Sequence, residues 1–365
     1  MTEPAFVLAG PREALIVPEA AQRYATATAA QSALRSGQAR MVVGALPFHP
    51  EAATALMSPA TMQRRERLPD WGGDPLPAVR VTAAEPALDE HRRRVAAAVG
   101  ALRADGATLH KVVLARALRL RAAAPLDARA VLARLVAADP TGYGYLVDLS
   151  ATGPGHAGGV LVGASPELLV TRCGATVTAR PFAGSAPRHH DPQHDRRSGA
   201  ALAASGKDRH EHRLVIETMA AVLRPFCTDL QITAAPQLSR TATLWHLSTP
   251  IRGRLRRAAT SALDLALALH PTPAVGGVPT DEALTFIDRV EADRGFYAGA
   301  TGWCDAEGDG RWVVSLRGAE LDADRRGILA RAGGGIVAES DPDAEVAETT
   351  AKFGAILNAL SVPPG

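Results

Sequence analysis

The chain has 365 residues, 47% of them hydrophobic, and its 40 basic residues nearly balance its 38 acidic ones. A chain of this length can bury a large core, either as one large domain or as two or three small ones. The balanced charge gives no basic face of the kind that nucleic-acid binding requires, so we expect no nucleic-acid partner. No uncharged apolar run reaches the ~18 residues of a membrane span, so we expect no membrane association either.

The cysteines and the N-terminus indicate a cytoplasmic protein. Cys173, Cys227 and Cys304 lie far apart, and no C-x-x-C motif occurs. An odd, sparse set of cysteines is not a disulfide framework and suits a reducing compartment. The segment Met1–Pro4 lacks the basic and then apolar regions of a signal peptide.

The first half of the chain alternates between predicted loops, helices and strands. Proline and glycine are dense over 69–79, which predicts a loop. Apolar residues at helical spacing predict a helix over 88–102, and the apolar run 111–115 predicts a strand. A second helix is expected over 127–138, where an Asp-Pro-Thr-Gly sequence ends it.

Strand patterns then follow one another without a helix between them. The runs 143–149, 159–171 and 176–182 read as strands, and the short turns between them predict a β-meander. A strand is also expected over 312–316, and the three glycines at 333–335 predict a loop.

Three helices are expected in the second half, over about 208–226, 260–269 and 343–360. Strands and helices thus come in separate runs instead of strict alternation. That arrangement favours an α+β fold with large antiparallel sheets.

Two carboxylate pairs are the first candidates for chemistry. Asp208 and Glu211 are three residues apart at the start of one predicted helix, and Glu345 and Glu348 have the same spacing on the last helix. This spacing puts both members of a pair on one helix face. Two such faces together would form an oxygen-rich site suited to Mg²⁺. The alternative is that both pairs are solvated helix faces, with Asp208 and Glu211 favouring a helix N-terminus.

Three further charged residues have two readings each. Lys111, flanked by valines, is either a desolvated general base or an edge-strand lysine that discourages aggregation. Glu167 follows an apolar run and Ser165-Pro166, so it is either a protonated general acid or a charged turn residue. Lys352, four residues after Glu348, either pairs with it or holds a substrate carboxylate.

Two other motifs are weaker candidates for a functional site. The histidines and aspartates over 188–195 resemble a metal cluster, but their polar, irregular spacing favours a mobile surface loop. Gly333–Gly335 can cradle an anion through backbone N–H groups, yet the sequence matches neither nucleotide-binding glycine motif.

Taken in chain order, these weak signals form one specific series. The motifs are HKVVLAR (110–116), GASPELL (163–169), PFAGS (181–185), SGKDRHEH (205–212), HPTPA (270–274), GGGIV (333–337) and ETTAK (348–352). The series resembles the chorismate-utilising enzymes, a family of isochorismate, salicylate, anthranilate and aminodeoxychorismate synthases. The resemblance covers residues 90–360.

The resemblance implies a fold as well as an activity. The expected architecture is a single α+β domain over 1–365, with two stacked antiparallel sheets and helices packed outside. Residues 1–90 would complete this fold instead of forming a separate module. We expect a monomer that acts on chorismate as its small-molecule substrate.

The resemblance also assigns roles to individual residues. Lys111 is similar to the base that deprotonates water for attack at C2 of chorismate, and Glu167 to the acid that protonates the departing C4 hydroxyl. Glu211 and Glu348 match Mg²⁺ ligands, with Asp208 and Glu345 beside them, directly or through water. The positions expected to contact the substrate are Gly184, Ser185, His246, Thr272, Ala274, Tyr297, Arg317, Gly333 and Lys352.

Local departures within the family favour an isochorismate synthase. Ala183 stands where aminodeoxychorismate synthases carry a nucleophilic lysine. The segment 213–218 differs from the anthranilate synthase pattern, which also argues against a glutamine amidotransferase partner. The segment 270–277 is similar to the isochorismate type. Salicylate synthase, which also eliminates pyruvate, is the main alternative, and a non-catalytic chorismate binder is a third.

Overall fold

The computed structural model describes residues 3–71, 75–153 and 156–363. Within these ranges the α-helices are α1 (Ala27–Arg35), α2 (Leu88–Arg103), α3 (Ala128–Ala138), α4 (Pro192–Ala204), α5 (Gly206–Leu223), α6 (Ala262–Leu269), α7 (Thr280–Val290) and α8 (Pro342–Ala359). None of the helices in the described residues is long and apolar enough to cross a membrane.

The strands of the first half are β1 (Phe6–Gly10), β2 (Glu13–Val17), β3 (Ala20–Tyr24), β4 (Met41–Leu46), β5 (Ala55–Pro59), β6 (Gln63–Arg65), β7 (Val79–Glu85), β8 (Lys111–Ala122), β9 (Tyr143–Asp148), β10 (Val160–Ser165), β11 (Leu168–Cys173) and β12 (Thr176–Arg180). Those of the second half are β13 (Phe182–Pro187), β14 (Cys227–Ile232), β15 (Gln237–Arg240), β16 (Leu244–Ser248), β17 (Ile251–Leu255), β18 (Gly277–Val278), β19 (Ala300–Asp305), β20 (Gly310–Val314), β21 (Gly318–Leu321) and β22 (Gly327–Ile336).

These strands form two large antiparallel sheets and one small sheet. The first large sheet has the order β18-β8-β22-β21-β10-β9-β1-β2-β6, with β7 also on β8. The second has the order β14-β17-β12-β11-β20-β19-β4-β5-β3, and the small sheet is β13-β16-β15. The predicted α+β fold with two antiparallel sheets is therefore confirmed.

The two large sheets pack face to face through apolar side chains. Phe6 and Val147 of the first sheet share a buried cluster with Val43 and Val313 of the second. Burying these side chains is the main stabilising term for such a layered fold. The first 65 residues supply strands to both sheets, since β1 pairs with β9 and β4 pairs with β19.

The prediction of a β-meander over 143–182 is wrong. The expected strand 159–171 is broken at Pro166-Glu167, where β10 ends in the first sheet and β11 begins in the second. The result is two hairpins in different sheets, β9–β10 and β11–β12. Proline cannot donate a ladder hydrogen bond, which favours a break at this point.

Two predicted loops are also wrong. Gly333–Gly335 lies inside β22, where these glycines pair with residues 113–115 of β8. The segment 188–195 runs into α4, which begins at Pro192 under an Asp191 cap. Asp195 is buried there and accepts a 2.8 Å hydrogen bond from Arg188 Nε, so this stretch is held by specific contacts.

Candidate active site

One cavity gathers most of the residues singled out in the sequence. It is bounded by β8, the crossing at Pro166-Glu167, the small sheet, α5, β22 and α8. Eleven of the fifteen predicted site residues line it: Glu167, Gly184, Ser185, Glu211, His246, Ala274, Tyr297, Arg317, Gly333, Glu348 and Lys352.

The other four predicted residues lie behind the cavity wall. Lys111 is fully buried beneath Glu211, and Thr272 is 1% exposed, its hydroxyl without a hydrogen-bond partner. Asp208 and Glu345 sit about one helical turn before Glu211 and Glu348, respectively, on the same helix faces.

Glu167 occupies the point where the chain crosses from one large sheet to the other. It is 3% exposed, and its Oε1 accepts only a long 3.4 Å hydrogen bond from the backbone N–H of Phe182. Burial raises the pKa of Glu167 to about 7, against the opposing effects of Phe182 and of nearby cations that include Lys111. Glu167 therefore lies between two strands, as the turn interpretation expected, but it is buried there with a raised pKa, which suits the general-acid interpretation.

Lys111 is held directly against a predicted metal ligand. Its Nζ lies 3.1 Å from Glu211 Oε1, close enough for an ion pair, although the angle is too poor for a hydrogen bond. Gly335 makes this contact possible, because a Cβ there would lie 2.0 Å from Glu211 Oε1 and 3.0 Å from Lys111 Cε. The alternative that Lys111 is an exposed edge-strand lysine is wrong.

Three of the four predicted metal-site carboxylates lie close to a lysine that was not predicted as a site residue. Lys207 Nζ lies 2.8 Å from Glu345 Oε1, 3.7 Å from Asp208 Oδ1 and 3.8 Å from Glu211 Oε2. Although burial opposes its charge, Glu211 and the other carboxylates raise the pKa of Lys207 above its usual value. In the sequence, Lys207 was marked only by its place in the motif 205–212, directly before Asp208.

Helix caps fix where these carboxylates stand. The Ser205 hydroxyl accepts a hydrogen bond from Asp208 N and caps α5, while Asp341 caps α8 with a proline after it. Carboxylates in the first turns of both helices are stabilised by the positive ends of the helix dipoles. Even so, burial raises the pKa of Asp208, and burial together with Glu348 raises the pKa of Glu345.

Glu348 differs from the other three carboxylates because it is paired with Lys352. Lys352 Nζ lies 2.5 Å from Glu348 Oε1 and donates a 2.8 Å hydrogen bond to the carbonyl of Gly333. The Ser185 hydroxyl donates to the same glutamate at 3.0 Å. Although burial opposes ionisation, Lys352 and Lys207 lower the pKa of Glu348 to about 2.

The carboxylates are the right chemical type of ligand for a hard divalent cation, but they are not spaced to hold one. Carboxylate oxygens are the ligands that Mg²⁺ takes from proteins, and Glu345 Oε2 is buried without a hydrogen-bond partner. Across residues 3–71, 75–153 and 156–363, however, no three His, Cys, Asp or Glu side chains are arranged to hold a metal ion. Lys207 occupies the centre of the cluster, so a metal would have to displace its ammonium group.

The rest of the cavity wall can bind and orient a planar anion. Arg317, in a left-handed backbone conformation (φ 55°), donates to the carbonyl of Lys352 at 3.2 Å. Burial lowers the pKa of His246 and keeps its imidazole neutral, stacked on Phe182 at 5.3 Å between ring centroids. Its Nε2 is buried without a partner and is available to a ligand.

Nine cavity residues were not among the predicted site residues. Val113, Pro166, Phe182, Ala183 and Gly335 lie within the motifs quoted above, and Val275, Leu316, Arg331 and Ala332 lie outside them. Such residues are common anywhere in a core, so only the fold shows that they face the cavity.

Comparison with known proteins places the chain in one family. The family model described as "Chorismate binding enzyme" matches residues 28–361. A Mycobacterium tuberculosis protein that carries the provisional name isochorismate synthase MenF is 59% identical over 99% of this chain and 97% of its own length. Isochorismate synthase DhbC of Bacillus subtilis is 40% identical over 98% of this chain and 94% of its own length.

A solved structure agrees in fold over the whole chain. The crystal structure of a Bacillus anthracis protein, provisionally named as the 2,3-dihydroxybenzoate-specific isochorismate synthase DhbC, superposes with a TM-score of 0.91. It is 36% identical and covers 100% of this chain and 97% of that one. The chain therefore belongs to the chorismate binding enzyme family.

Proposed function

We propose that this protein is an isochorismate synthase that converts chorismate to isochorismate with the help of Mg²⁺. The observation that carries the proposal is Glu167, a buried carboxyl in the cavity wall with a pKa near 7. Such a group is protonated often enough at neutral pH to serve as a general acid. The names of the two sequence relatives and the structural relative support the same activity.

The reaction needs two proton transfers on opposite sides of one ring. A water molecule adds at C2 and loses a proton to Lys111, while the hydroxyl at C4 leaves with the proton of Glu167. One water enters and one leaves, so the product is an isomer of the substrate. Lys111 acts as a base only as a neutral amine, and its Nζ lies 3.1 Å from Glu211 Oε1.

We also propose that Glu211 and Glu348 hold the Mg²⁺ ion, with Asp208 and Glu345 behind them. The ion would neutralise a substrate carboxylate and draw negative charge away from Lys111. Support comes from the convergence of all four carboxylates on Lys207, which marks a place where a cation is stabilised. Lys207 would leave this place when the ion binds.

The substrate is a dianion, and the cavity has cationic and polar groups to match. Arg317 and Lys352 are the cations that would hold its carboxylates, assisted by the hydroxyl of Tyr297. Ser185, Gly184, Ala274 and Gly333 would shape the space for the ring. Thr272, behind the wall, has a buried hydroxyl without a hydrogen-bond partner, which we propose for contact with the substrate.

Three organisational features belong to the same proposal. The chain would act as one domain over 1–365, as a monomer, and without an amidotransferase subunit. The pairing of β1 with β9 and of β4 with β19 supports the first point, because the N-terminal strands complete both large sheets. We propose the cytoplasm as the compartment, where chorismate is available.

The experiment is product analysis after incubation of the purified protein with chorismate and Mg²⁺. The proposal predicts isochorismate in a reversible mixture with chorismate, and little salicylate at neutral pH. Salicylate and pyruvate as early products would move the protein to the salicylate synthases, and anthranilate formed with ammonia would move it to the anthranilate synthases. Binding of chorismate by calorimetry without any product would make it a binder.

A further inference from the structure

Strand β8 carries Lys111 and has a gap along one edge. On its inner edge β22 pairs with it from Val112 to Arg121. On its outer edge β18 pairs only with Lys111 and Val112, and β7 pairs only with residues 117–122. Among the described residues, no strand pairs with residues 113–116 on that edge.

A buried ion pair occupies this gap. Arg294 and Glu291 form two parallel hydrogen bonds, Nε to Oε2 at 2.8 Å and Nη2 to Oε1 at 2.9 Å. Their side chains are 1% and 5% exposed, respectively. The guanidinium carbon also lies 4.4 Å from the ring centre of Phe48. We call this pair the edge clasp.

The edge clasp makes the hydrogen bonds that a neighbouring strand would make. Glu291 Oε1 accepts from the N–H of Ala115 at 2.7 Å, and Arg294 Nη2 donates to the carbonyl of Val113 at 2.7 Å. Buried backbone groups without such partners are costly, so a pair that satisfies two of them holds the strand in place.

The same pair ties β8 to two other parts of the cavity wall. Arg294 Nη1 donates to the carbonyl of Val275 at 2.8 Å, and Val275 lines the cavity beside Ala274. The carbonyl of Arg294 accepts from the N–H of Tyr297 at 3.1 Å. Arg294 therefore joins three wall segments: its guanidinium binds the carbonyls of Val113 and Val275, and its backbone carbonyl accepts from Tyr297.

We propose that Glu291 and Arg294 are positioning residues for the proposed reaction, which hold Lys111 and the facing wall at their working separation. Neither residue lines the cavity, so they act through the strand and not on the substrate. A buried ion pair is weak evidence for stability alone, since apolar residues of similar volume often stabilise as well. What apolar residues cannot supply is the set of directed side-chain bonds to the backbone of Val113 and Ala115 and to the carbonyl of Val275.

The test compares three variants. Arg294→Lys keeps the charge but loses the planar fork that reaches Val113, Val275 and Glu291 together. Glu291→Gln keeps an oxygen that can accept from Ala115 and from Arg294. Arg325→Lys is the matched control, because Arg325 bridges Glu3 and the carbonyls of Gly158 and Asp322 away from the cavity.

We expect Arg294→Lys to lower kcat ~10-fold or more, because small displacements of a proton-transfer group cost turnover steeply. KM should change less than kcat, and Glu291→Gln should show the same pattern with a smaller loss. Arg325→Lys should keep the wild-type kcat. All assays are run well below the Tm of each variant, and kcat is expressed per folded protein.

Amide hydrogen exchange gives a second readout that needs no activity. Exchange at Ala115 should be faster in Arg294→Lys than in wild type and unchanged in Arg325→Lys. If Arg294→Lys loses Tm but keeps the wild-type kcat, or if exchange at Ala115 is unchanged, the proposal is overturned. Should Arg294→Lys not fold, a wild-type kcat in Glu291→Gln would overturn it.

The proposal rests on the proposed function, and the two can fail separately. A wild-type protein that makes no isochorismate contradicts the function, while the exchange at Ala115 still decides whether the edge clasp holds the strand.

Discussion

Two carboxyl groups of one cavity have opposite ionisation. Within the described residues no cation lies in direct contact with Glu167, and burial raises its pKa to about 7. The side chain of Glu348 is 15% exposed, and although its burial opposes ionisation, Lys352 at 2.5 Å and nearby Lys207 lower its pKa to about 2. A close cation therefore outweighs burial at Glu348, whereas burial prevails at Glu167.

The contrast separates two roles within the cavity. Glu167 is buried and can supply a proton, and burial keeps the imidazole of His246 neutral. Lys207, Lys352 and the helix carboxylates form a densely charged cluster that can exchange one cation for another. Three predictions follow for variants that remove one side of this contrast.

The largest effect is expected on turnover, when one of the two proton-transfer residues is replaced. Glu167→Gln cannot supply a proton, so kcat should fall by ~10²- to 10⁴-fold while chorismate still binds. Lys111→Ala should lose a similar factor for the opposite reason, the absence of a proton acceptor. Steady-state kinetics with calorimetric binding of chorismate measures both quantities.

The matched control for Glu167→Gln is Asp148→Asn, a half-buried carboxyl whose partners are Arg23 and Ser150 on the far side of the fold. Asp148→Asn should retain turnover. Near-normal kcat in Glu167→Gln would remove Glu167 from the mechanism.

The next effect concerns stability as a function of pH. The folded-state pKa of Glu167 is raised from 4.5 to about 7, so its favourable contribution is complete below pH 4.5 and is lost as pH rises through 7. Glu167→Gln has no carboxyl group at this position and does not lose stability in this way as pH rises. Relative to wild type, it should therefore gain up to about 3 kcal/mol in unfolding free energy between pH 4.5 and pH 8.

Urea unfolding at several pH values measures this difference. Asp148→Asn should show no such gain over that range. Hydrogen bonds from Ser150 and Arg23 outweigh burial and lower the pKa of Asp148, so its contribution is lost only at more acid pH. A flat difference curve for Glu167→Gln would mean that Glu167 is ionised in the folded protein throughout.

The smallest of the three effects is expected in the charged cluster. Lys207→Met removes the cation that lies against Glu345, Asp208 and Glu211, so Mg²⁺ alone should bind about tenfold more tightly. Glu348→Gln should have the opposite effect and weaken Mg²⁺ binding. Calorimetric titration with Mg²⁺, in the absence of chorismate, gives both values.

Arg209→Met, a neighbour of Lys207 with an exposed side chain, serves as the control and should leave Mg²⁺ binding unchanged. If Lys207→Met binds Mg²⁺ no better than wild type, the lysine and the metal do not compete for one place.

The sequence predicted the fold best where local pattern was enough. The helices expected over 88–102, 127–138 and 260–269 match α2, α3 and α6 to within two residues. The family resemblance supplied the antiparallel sheets, and eleven predicted residues do line one cavity. Whether they bind the substrate and metal as expected stays a prediction.

What the sequence could not predict depends on contacts between distant segments. In the sequence Glu167 resembles a turn residue, and only the fold shows that it connects two sheets. Gly335 resembles part of a loop, and only the fold shows that Glu211 lies against it. Likewise, Glu291 and Arg294 resemble any pair three residues apart. Only the gap in the edge of β8 gives them a role.

The most direct test of this account is the protonation state of Glu167 in the folded protein. Infrared difference spectra of wild type minus Glu167→Gln, taken across neutral pH, report the carbonyl stretch of a protonated carboxyl. A band should be present at pH 6 and lost with a midpoint near the pKa of about 7. Absence of that band at pH 6 would show that Glu167 is already ionised, and would contradict the claim that this cavity holds a neutral acid beside a charged cluster.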